Sequence, residues 1–392
     1  MMRRFRPILL LSPAAGLLLA AFILPIAMML TASVDNSENV SRLPRLSQVL
    51  RSWDGNGLPG PPAYVALAED LFDSSRTNQI SRLSDDLGKE FRPLKRLVRK
   101  TASRLEESPT GDPVEILHAI DNSWGEVETW KQLQVATRPY TDRNLLTALD
   151  LRRNDAVEIV RVSESQRTFV TIALRTVSIA LIVTLASLLI AFPLAYFMVT
   201  RSERVRKIVF LLVLIPFWTS VLVRTVAWMI ILGNNGLLKI VIGPLWPGVG
   251  DVPLIYTRLG ALLAMIHIQV PFTLLPIYGV MAGISPAYMR SALSLGASRT
   301  YSFWRVYAPL TIPGVVAGCF ISFIVSLGYY ITPALVGGPR DQLLSYFIAY
   351  YINIELNWGM ASALSLVLII IASLAMVFYG RYAMRSTFDP AK

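Results

Sequence analysis

The chain has 392 residues, of which 54% are hydrophobic, and a formal net charge of +11. This hydrophobic share exceeds the roughly 45–50% of a soluble domain, so an ordinary soluble protein is excluded. Residues 33–168 hold 19 Lys/Arg and 21 Asp/Glu, while the rest of the chain holds 18 and 5. The positive excess therefore flanks apolar stretches, where membrane topology is encoded, and no nucleic-acid partner is expected.

Six apolar stretches are long enough to cross a bilayer, which takes roughly 20 helical residues. Five of them contain no charged residue, and the third contains only Arg224. In chain order they cover residues 8–34, 176–200, 208–238, 259–289, 306–339 and 356–380. The sequence thus predicts an all-α polytopic membrane protein with six transmembrane helices, in contact with the lipid bilayer.

The first apolar stretch follows a basic leader, MMRRFR, and so resembles a secretory signal peptide. Its apolar run is longer than the usual 7–15 residues, however, and no clear small-x-small cleavage site follows. We therefore interpret residues 1–32 as a cytoplasmic N-terminus with a retained first transmembrane helix.

Residues 33–168 form the one soluble segment, which is long enough to fold as a domain. After the Gly/Pro loop DGNGLPGPP, the patterns AYVALAEDLF, LGKEFRPLKRLVRK, PVEILHAI and NLLTALDL predict helices. A mainly helical domain is expected. The run KEFRPLKRLVRK either binds anionic lipid or a partner, or is a solvated face balanced by Asp85, Asp86, Glu106 and Glu107.

Lys and Arg residues near the ends of the spans predict the orientation, because cytoplasmic loops are enriched in them. Thirteen lie on one side and three in the short loops of the other. Both termini and the loop 285–310 are therefore expected in the cytoplasm and the insert 33–168 in the periplasm. Residues 169–385 then form a five-helix membrane core, and 386–392 form a cytoplasmic tail.

The residues of a catalytic or metal site are missing. His118 and His267 lack Cys, His, Asp or Glu partners at ligand spacing, so no metal is expected. Neither a Gly-x-x-x-x-Gly-Lys-Ser/Thr loop nor a Gly-x-Ser-x-Gly motif occurs, which predicts a non-enzyme without its own nucleotide pocket. Cys319 is interpreted as a small apolar residue in a helix interface. Because the spans lack acids, an ion-driven carrier is the weaker hypothesis, and the energy is expected from a cytoplasmic contact.

Several polar and aromatic residues within the spans are candidates for a substrate pathway or gate. Arg224 either has a structural or gating role or reaches the outer interface by snorkelling. His267 and Gln269, in HIQVPF, either line a path beside a kink at Pro271 or make helix–helix hydrogen bonds. Aromatic faces near the end of the fifth span either guide a cation or anchor the interface. The candidates are Arg224, Trp228, His267, Gln269, Tyr329 and Tyr330.

The cytoplasmic stretch RSALSLGASRTYSFWRVYAPLTIPG, residues 290–314, separates the fourth and fifth spans. Pro286 suits the first turn of a helix and Gly296 its end. RTYSFWRVYAPL predicts a second helix, which Pro309 and Pro313 separate from the next span. The result is a short helix–turn–helix across the membrane face. It is either a lipid-facing hairpin or a docking element with an open groove of small residues.

This stretch resembles the EAA loop of inner-membrane permease subunits of ABC importers, which has the form E-A-A-x-x-x-G-A followed by an aromatic residue and a proline. The matching positions are Ala292, Gly296, Ala297, Phe303 and Pro309, whereas Arg290 and Ser291 replace the glutamate and the first alanine. PLAYFMV, IPFWTSVLVRTVAWMIILGNNGLL, LGYYITPALVGGPRDQLLSYFIAYY and NWGMASALSL further resemble spermidine/putrescine-type permeases.

The resemblance implies the type I permease fold and a division of labour. A second, similar permease pairs with the chain, two cytoplasmic ATPase subunits bind below, and a periplasmic binding protein delivers the solute. The EAA loop then transmits closure of the ATPases, which use ATP and Mg, while this chain binds no cofactor. A polyamine is the expected solute. Another organic cation, an amino-acid-like solute or an anion is the alternative.

Overall fold

The structure, a computed structural model, describes residues 6–107, 111–242 and 253–388. Predictions for residues 1–5 and 389–392, which include the basic leader and the end of the tail, lie outside this range. The chain divides into two compact units. The first comprises Met1–Val170 with Glu355–Leu364, and the second comprises Thr171–Ile354 with Ser365–Lys392.

In its described residues the first unit is helical apart from one short hairpin and an isolated β-bridge between Asp35 and Tyr140. Its helices are α1 Arg6–Leu18, α2 Leu24–Thr31, α3 Ser37–Arg42, α4 Pro44–Arg51, α5 Pro61–Arg76, α6 Ile80–Glu90, α7 Arg92–Glu107, α8 Pro113–Ile120, α9 Val127–Ala136 and α10 Arg143–Ala148. A π-helical turn, Leu19–Ile23, joins α1 to α2. The strands β1 Leu151–Arg153 and β2 Ile159–Arg161 pair antiparallel, with Leu151 opposite Arg161. The prediction of a mainly helical insert is confirmed.

Two tryptophans are the largest buried side chains of the first unit. Trp124 Nε1 donates to Thr101 Oγ1 at 3.0 Å, and Trp130 Nε1 donates to the Trp124 carbonyl at 2.9 Å. Tyr64 Oη donates to the same carbonyl at 3.1 Å. The polar atoms of these rings are thus satisfied where burial would otherwise penalise them, so this segment has a specific core of its own.

The run KEFRPLKRLVRK does not form one helix, contrary to the sequence prediction. α6 ends at Glu90, Phe91 is extended, and α7 begins at Arg92. Pro93 explains the break, because proline lacks an N–H and clashes with the preceding turn. The predicted acidic balance is confirmed for two residues: Asp85 pairs with Lys95 at 2.8 Å, and Asp86 pairs with Lys89 at 2.7 Å.

Three further ion pairs in this unit join separate segments of the chain. Arg153 contacts Glu90 at 2.9 Å and Asp142 at 2.6 Å, with the Arg153 and Glu90 side chains only 12% and 6% exposed. Burial raises the pKa of Glu90 although Arg153 opposes this shift. At the surface, the ion pair from Lys100 Nζ to Asp121 Oδ2 at 2.7 Å lowers the pKa of Asp121 to about 2.

The predicted helix NLLTALDL ends earlier than expected, because Asp150 adopts a positive φ of 54° and precedes β1. Its carboxylate accepts hydrogen bonds from the backbone N–H groups of Thr168, Phe169 and Val170, at 2.9–3.1 Å. These N–H groups begin the long helix Phe169–Thr200 and have no partners inside it. Asp150 therefore caps the second membrane span, with a charge of the sign that a helix N-terminus attracts.

The second unit is all-helical in its described residues. Its helices are α11 Phe169–Thr200, α12 Glu203–Trp218, α13 Val221–Leu232, α14 Leu237–Ile242, α15 Arg258–Gly283, α16 Ala287–Ser294, α17 Arg299–Ser302, α18 Ala308–Gly328, α19 Ile331–Val336, α20 Leu344–Asn353 and α21 Trp358–Phe388, of which α11 and α21 begin in the first unit. α15 continues through Pro271 and Pro276 without a break.

Within the described residues, five helices are long and apolar enough to cross a membrane, and the number is six if the bent pair α12–α13 crosses as one broken span. The five are Ser12–Thr31, Phe169–Thr200, Arg258–Gly283, Arg299–Gly328 and Trp358–Arg381. The predicted polytopic all-α membrane protein is confirmed, and the predicted sixth span corresponds to the bent pair α12–α13.

The third span is not the straight helix that its apolar run suggested. α12 and α13 meet at an angle of 101°. Thr219, between them, is extended, and the Ser220 hydroxyl accepts from Leu222 N–H at 3.3 Å to cap α13. Pro216 near the end of α12 and the serine cap favour termination and a restart at this point.

Candidate functional site

The loop between α15 and α18 begins with α16, whose end is a Schellman motif. Gly296 has φ +85°, in the left-handed region that glycine adopts most easily. The N–H of Ala297 donates to the Ala292 carbonyl at 3.2 Å, and that of Gly296 to the Leu293 carbonyl at 3.0 Å. These two bonds satisfy carbonyls at the end of α16. The predicted helix end at Gly296 is confirmed.

The surface of this loop is both apolar and basic. Leu295 is 88% exposed and Trp304 is 66% exposed, although both side chains are large and hydrophobic. Arg290, Arg299 and Arg305 are also exposed, and none forms an ion pair with a described residue. Ser291 is exposed beside them, and the small side chain of Ala292 is half-buried. Exposed apolar groups ringed by charge are typical of a protein or membrane contact.

The second half of the loop differs from the predicted separate helix. After Ser298 caps α17, the chain runs through a π-helical turn, Phe303–Tyr307, directly into α18. The span therefore extends from Arg299 to Gly328 without interruption by Pro309 or Pro313. The wider turn changes the hydrogen-bond register just before Pro309, and membrane helices tolerate prolines through such local adjustments.

Phe303 connects the loop to the membrane helices. Its ring lies 5.2 Å from that of Tyr196 and 6.4 Å from that of Phe192, both in α11 and both edge-on. It also stacks on Tyr307 at 5.8 Å, and Tyr307 is buried against the same helices. The aromatic cluster (Phe192, Tyr196, Phe303 and Tyr307) thus fixes the start of α18 to the end of α11. The spacing of Phe192 and Tyr196, one helical turn apart, is the signal that sequence reasoning missed.

Two of the predicted pathway residues are in direct contact. Trp228 Nε1, on α13, donates to His267 Nδ1, on α15, at 3.2 Å, and the rings meet edge-on at 5.5 Å. Both side chains line a cavity of about 380 Å³ whose other walls include Pro216 and Pro271. The prediction missed the neighbouring hydrogen bond between Thr225 and Thr332, at 2.9 Å, which joins α13 to α19.

Gln269 lies on another face of α15 and does not join this pair. It is fully buried and donates from Nε2 to Ser326 Oγ at 2.7 Å and to the Ser322 carbonyl at 3.3 Å, both on α18. α18 approaches closely here, because a Cβ atom at Gly318 would lie 2.6 Å from the Thr273 carbonyl oxygen. Gln269 therefore makes the helix–helix hydrogen bonds of the second sequence interpretation.

The two tyrosines after α18 are separated by their environments. Tyr329 packs against a buried apolar cluster that includes Val183 and Met265, and its carbonyl accepts from Ser345 Oγ at 2.6 Å. Tyr330 is 43% exposed. The candidate pathway residues thus do not form a single cluster.

Arg224 lies one turn before Trp228 on α13, and its Nε is buried without a hydrogen-bond partner. The described acids of residues 171–354 are Glu203 and Asp341, which pair with Lys207 and Arg258, each at 2.7 Å. No described acid of this unit is therefore left for Arg224. Among the described residues, no group of three His, Cys, Asp or Glu could hold a metal ion.

Helices able to span a membrane, with an exposed basic and apolar loop before α18, define a membrane protein with a candidate contact surface for a partner. Residues 187–386 match the family described as "Binding-protein-dependent transport system inner membrane component". The chain belongs to this family and is a permease subunit of an ABC importer. Its membrane location and its reliance on ATPase and binding-protein partners follow from that membership.

Two sequence relatives, PotB and YdcU, agree with this assignment. The chain is 32% identical over 213 residues to the spermidine/putrescine transport system permease protein PotB of Salmonella typhimurium (strain SL1344), covering 54% of this chain and 73% of PotB. It is 33% identical over 226 residues to the inner membrane ABC transporter permease protein YdcU of Escherichia coli (strain K12), covering 54% and 71%. A bacterial alginate ABC transporter, solved with an alginate-bound periplasmic protein, aligns at a TM-score of 0.47 and 18% identity over 57% of this chain and 81% of its own.

Proposed function

We propose that this chain forms half of a translocation path for polyamines, paired with a second homologous permease above two ATPase subunits. The substrate proposal is supported by PotB, a relative named as a spermidine/putrescine permease. Because the described membrane acids are already paired, the path itself offers no free carboxylate to a polycation. Specificity then resides in the periplasmic binding protein, and the path contributes aromatic and backbone contacts.

The loop 285–310 is the element that contacts the ATPases, which bind ATP and Mg. The observation that carries this role is the exposed surface around the Gly296 turn, which is held to α11 through Phe303. A movement of this exposed surface reaches the membrane helices only if the residues packed beneath it move as well. Ala297 and Pro309 lie on either side of Phe303, at the turn and at the start of α18 respectively.

The proposed orientation places both termini and this loop in the cytoplasm and residues 33–168 in the periplasm. It is supported by the excess of Lys and Arg on the loop side of the spans. Single cysteines introduced at Leu295 and at the exposed Tyr140 test it in a Cys319→Ala background. An impermeant thiol reagent added to intact cells should label the cysteine at position 140 and not that at 295; the reverse pattern contradicts the orientation.

The function is tested with the complete transporter in proteoliposomes. Adding the binding protein outside and ATP inside should drive uptake of radiolabelled putrescine or spermidine. Binding of solutes to the isolated binding protein gives an independent measurement. Tight binding of an anion such as sulfate, without polyamine binding, would leave the ABC importer assignment intact and remove the polyamine proposal.

A further inference from the structure

The Arg224 guanidinium is a partly buried positive charge that the described acids of its unit leave without compensation. Its Nε is shielded from solvent and makes no hydrogen bond. An unpaired charge inside a membrane is costly and is retained mainly where it faces a cavity, a pathway or a ligand. Since Glu203 and Asp341 pair with Lys207 and Arg258, the described acids of residues 171–354 supply no counter-charge to Arg224.

Arg224 lies beside the contact between Trp228 and His267. Residues four apart share one face of a helix, so Arg224 and Trp228 point to the same side of α13. The 16 residues of α12 span about 24 Å before the bend, and His267 lies nine residues, about 14 Å, from the Arg258 end of α15. Both positions lie within a hydrocarbon layer of about 30 Å. The ionisable side chains that meet there are basic.

We propose that Arg224 is an electrostatic barrier that keeps cations out of the resting translocation path. It is then a specificity-determining residue of the transporter, and the inference rests on the proposed transport function. At an effective dielectric constant of about 20, one charge about 10 Å away lowers the population of a monovalent cation by more than tenfold. A polycation is excluded more strongly, because each of its charges is repelled.

Transport requires the barrier to move out of the path, and the bend before α13 is a position where such a hinge movement can occur. α13 is a short helix joined to α12 only through the extended segment at Thr219 and Ser220. Such element ends absorb the backbone changes of hinge motions. Closure of the ATPases can thus move Arg224 away from the path through a rotation of α13, without unfolding the span.

The test measures leakage of rubidium from proteoliposomes that contain the complete transporter without ATP. Arg224→Gln should release rubidium at least about tenfold faster than wild type, whereas Arg224→Lys should remain tight. The matched control is Arg175→Gln, which removes another intramembrane arginine whose guanidinium already donates to the Gln342 carbonyl at 3.2 Å. This control should also remain tight.

Three outcomes overturn the inference. The inference is wrong if Arg224→Gln is as tight as wild type in an assembled transporter, or if Arg224→Lys leaks as fast as Arg224→Gln. A tight Arg224→Gln transporter that has lost ATP-driven uptake would instead make Arg224 a contact for an anionic group of the solute. Because rubidium leakage is read without reference to the transported solute, failure of the polyamine proposal leaves this measurement interpretable.

A second variant covers failure of Arg224→Gln to assemble. Arg224→Cys in a Cys319→Ala background can be modified after assembly with either a positively charged or a neutral methanethiosulfonate reagent. The positively charged adduct should restore tightness to rubidium and the neutral adduct should not. Equal leakage with the two adducts would overturn the inference.

Discussion

Substitutions at Gly296 change two properties of the loop: its backbone conformation and the size of the side chain that faces the ATPase. A series of substitutions can measure the two effects separately. Gly296 has φ +85°, a conformation that costs most L-residues about 1–2 kcal/mol and asparagine less. No atom lies within 4 Å of the position that a Cβ would occupy, so the space around the turn is open. A side chain here therefore strains the backbone without a clash inside the chain.

The informative series is Gly296→Asn, Gly296→Ala and Gly296→Trp. Gly296→Asn should keep most ATPase binding, because asparagine tolerates the left-handed region. Gly296→Ala should weaken binding by about 1–2 kcal/mol, a factor of roughly 5–30, if the native turn must form before docking. Gly296→Trp combines that strain with a large side chain on the docking face and should abolish binding.

Binding of the detergent-purified permease to its ATPase and uptake in proteoliposomes are the two measurements. Gly283→Ala serves as the control, because this glycine lies at the end of α15, with open space around it and no positive φ. Its ATPase binding should equal that of wild type. Wild-type binding and uptake in Gly296→Trp, with the six spans folded, would refute the docking role of the loop.

Three further substitutions test the two units separately. Arg153→Met should destabilise the first unit by about 3–5 kcal/mol, as seen by hydrogen exchange, because it leaves a buried carboxylate unpaired, whereas the exposed Arg152→Met should have no effect. Gly318→Ala should cost about 1–3 kcal/mol of thermal stability through overpacking against α15, and Gly283→Ala should cost nothing. Because the pKa of Asp121 is lowered to about 2, its ionised carboxylate stabilises the fold above pH 4. Asp121→Asn should therefore be less stable than wild type by about 1 kcal/mol at pH 6. This difference should disappear as the pH falls to about 2.

Local signals with a single physical cause were read correctly from the sequence. Apolar length alone located five membrane helices, because an uncharged run of 20 or more residues has few alternatives to a membrane helix. Gly296 marked the end of α16, since only its left-handed conformation completes the two hydrogen bonds of the turn. In both cases a single physical requirement, which can be recognised in the sequence, determines the local structure.

Features that depend on individual hydrogen bonds were not predictable in this way. Pro309 and Pro313 suggested a break, but the π-helical turn at Phe303–Tyr307 allows one continuous span. The 101° bend in the third span follows from a cap at Ser220, and neither it nor the capping of α11 by Asp150 has a periodic pattern. A hydrophobicity pattern reports burial, whereas bends and caps depend on individual hydrogen bonds.

The loop surface carries both apolar and charged residues, which would contribute to ATPase binding in different ways. Leu295 and Trp304 expose apolar area whose burial supplies affinity at roughly 25 cal/mol per Å². Arg290, Arg299 and Arg305 carry charges that solvent and salt screen over about 8–10 Å, so they act mainly on the rate and orientation of encounter. Because arginine stands in place of the family's glutamate, we expect acidic residues at the rim of the ATPase groove, with affinity supplied mainly by the apolar contact.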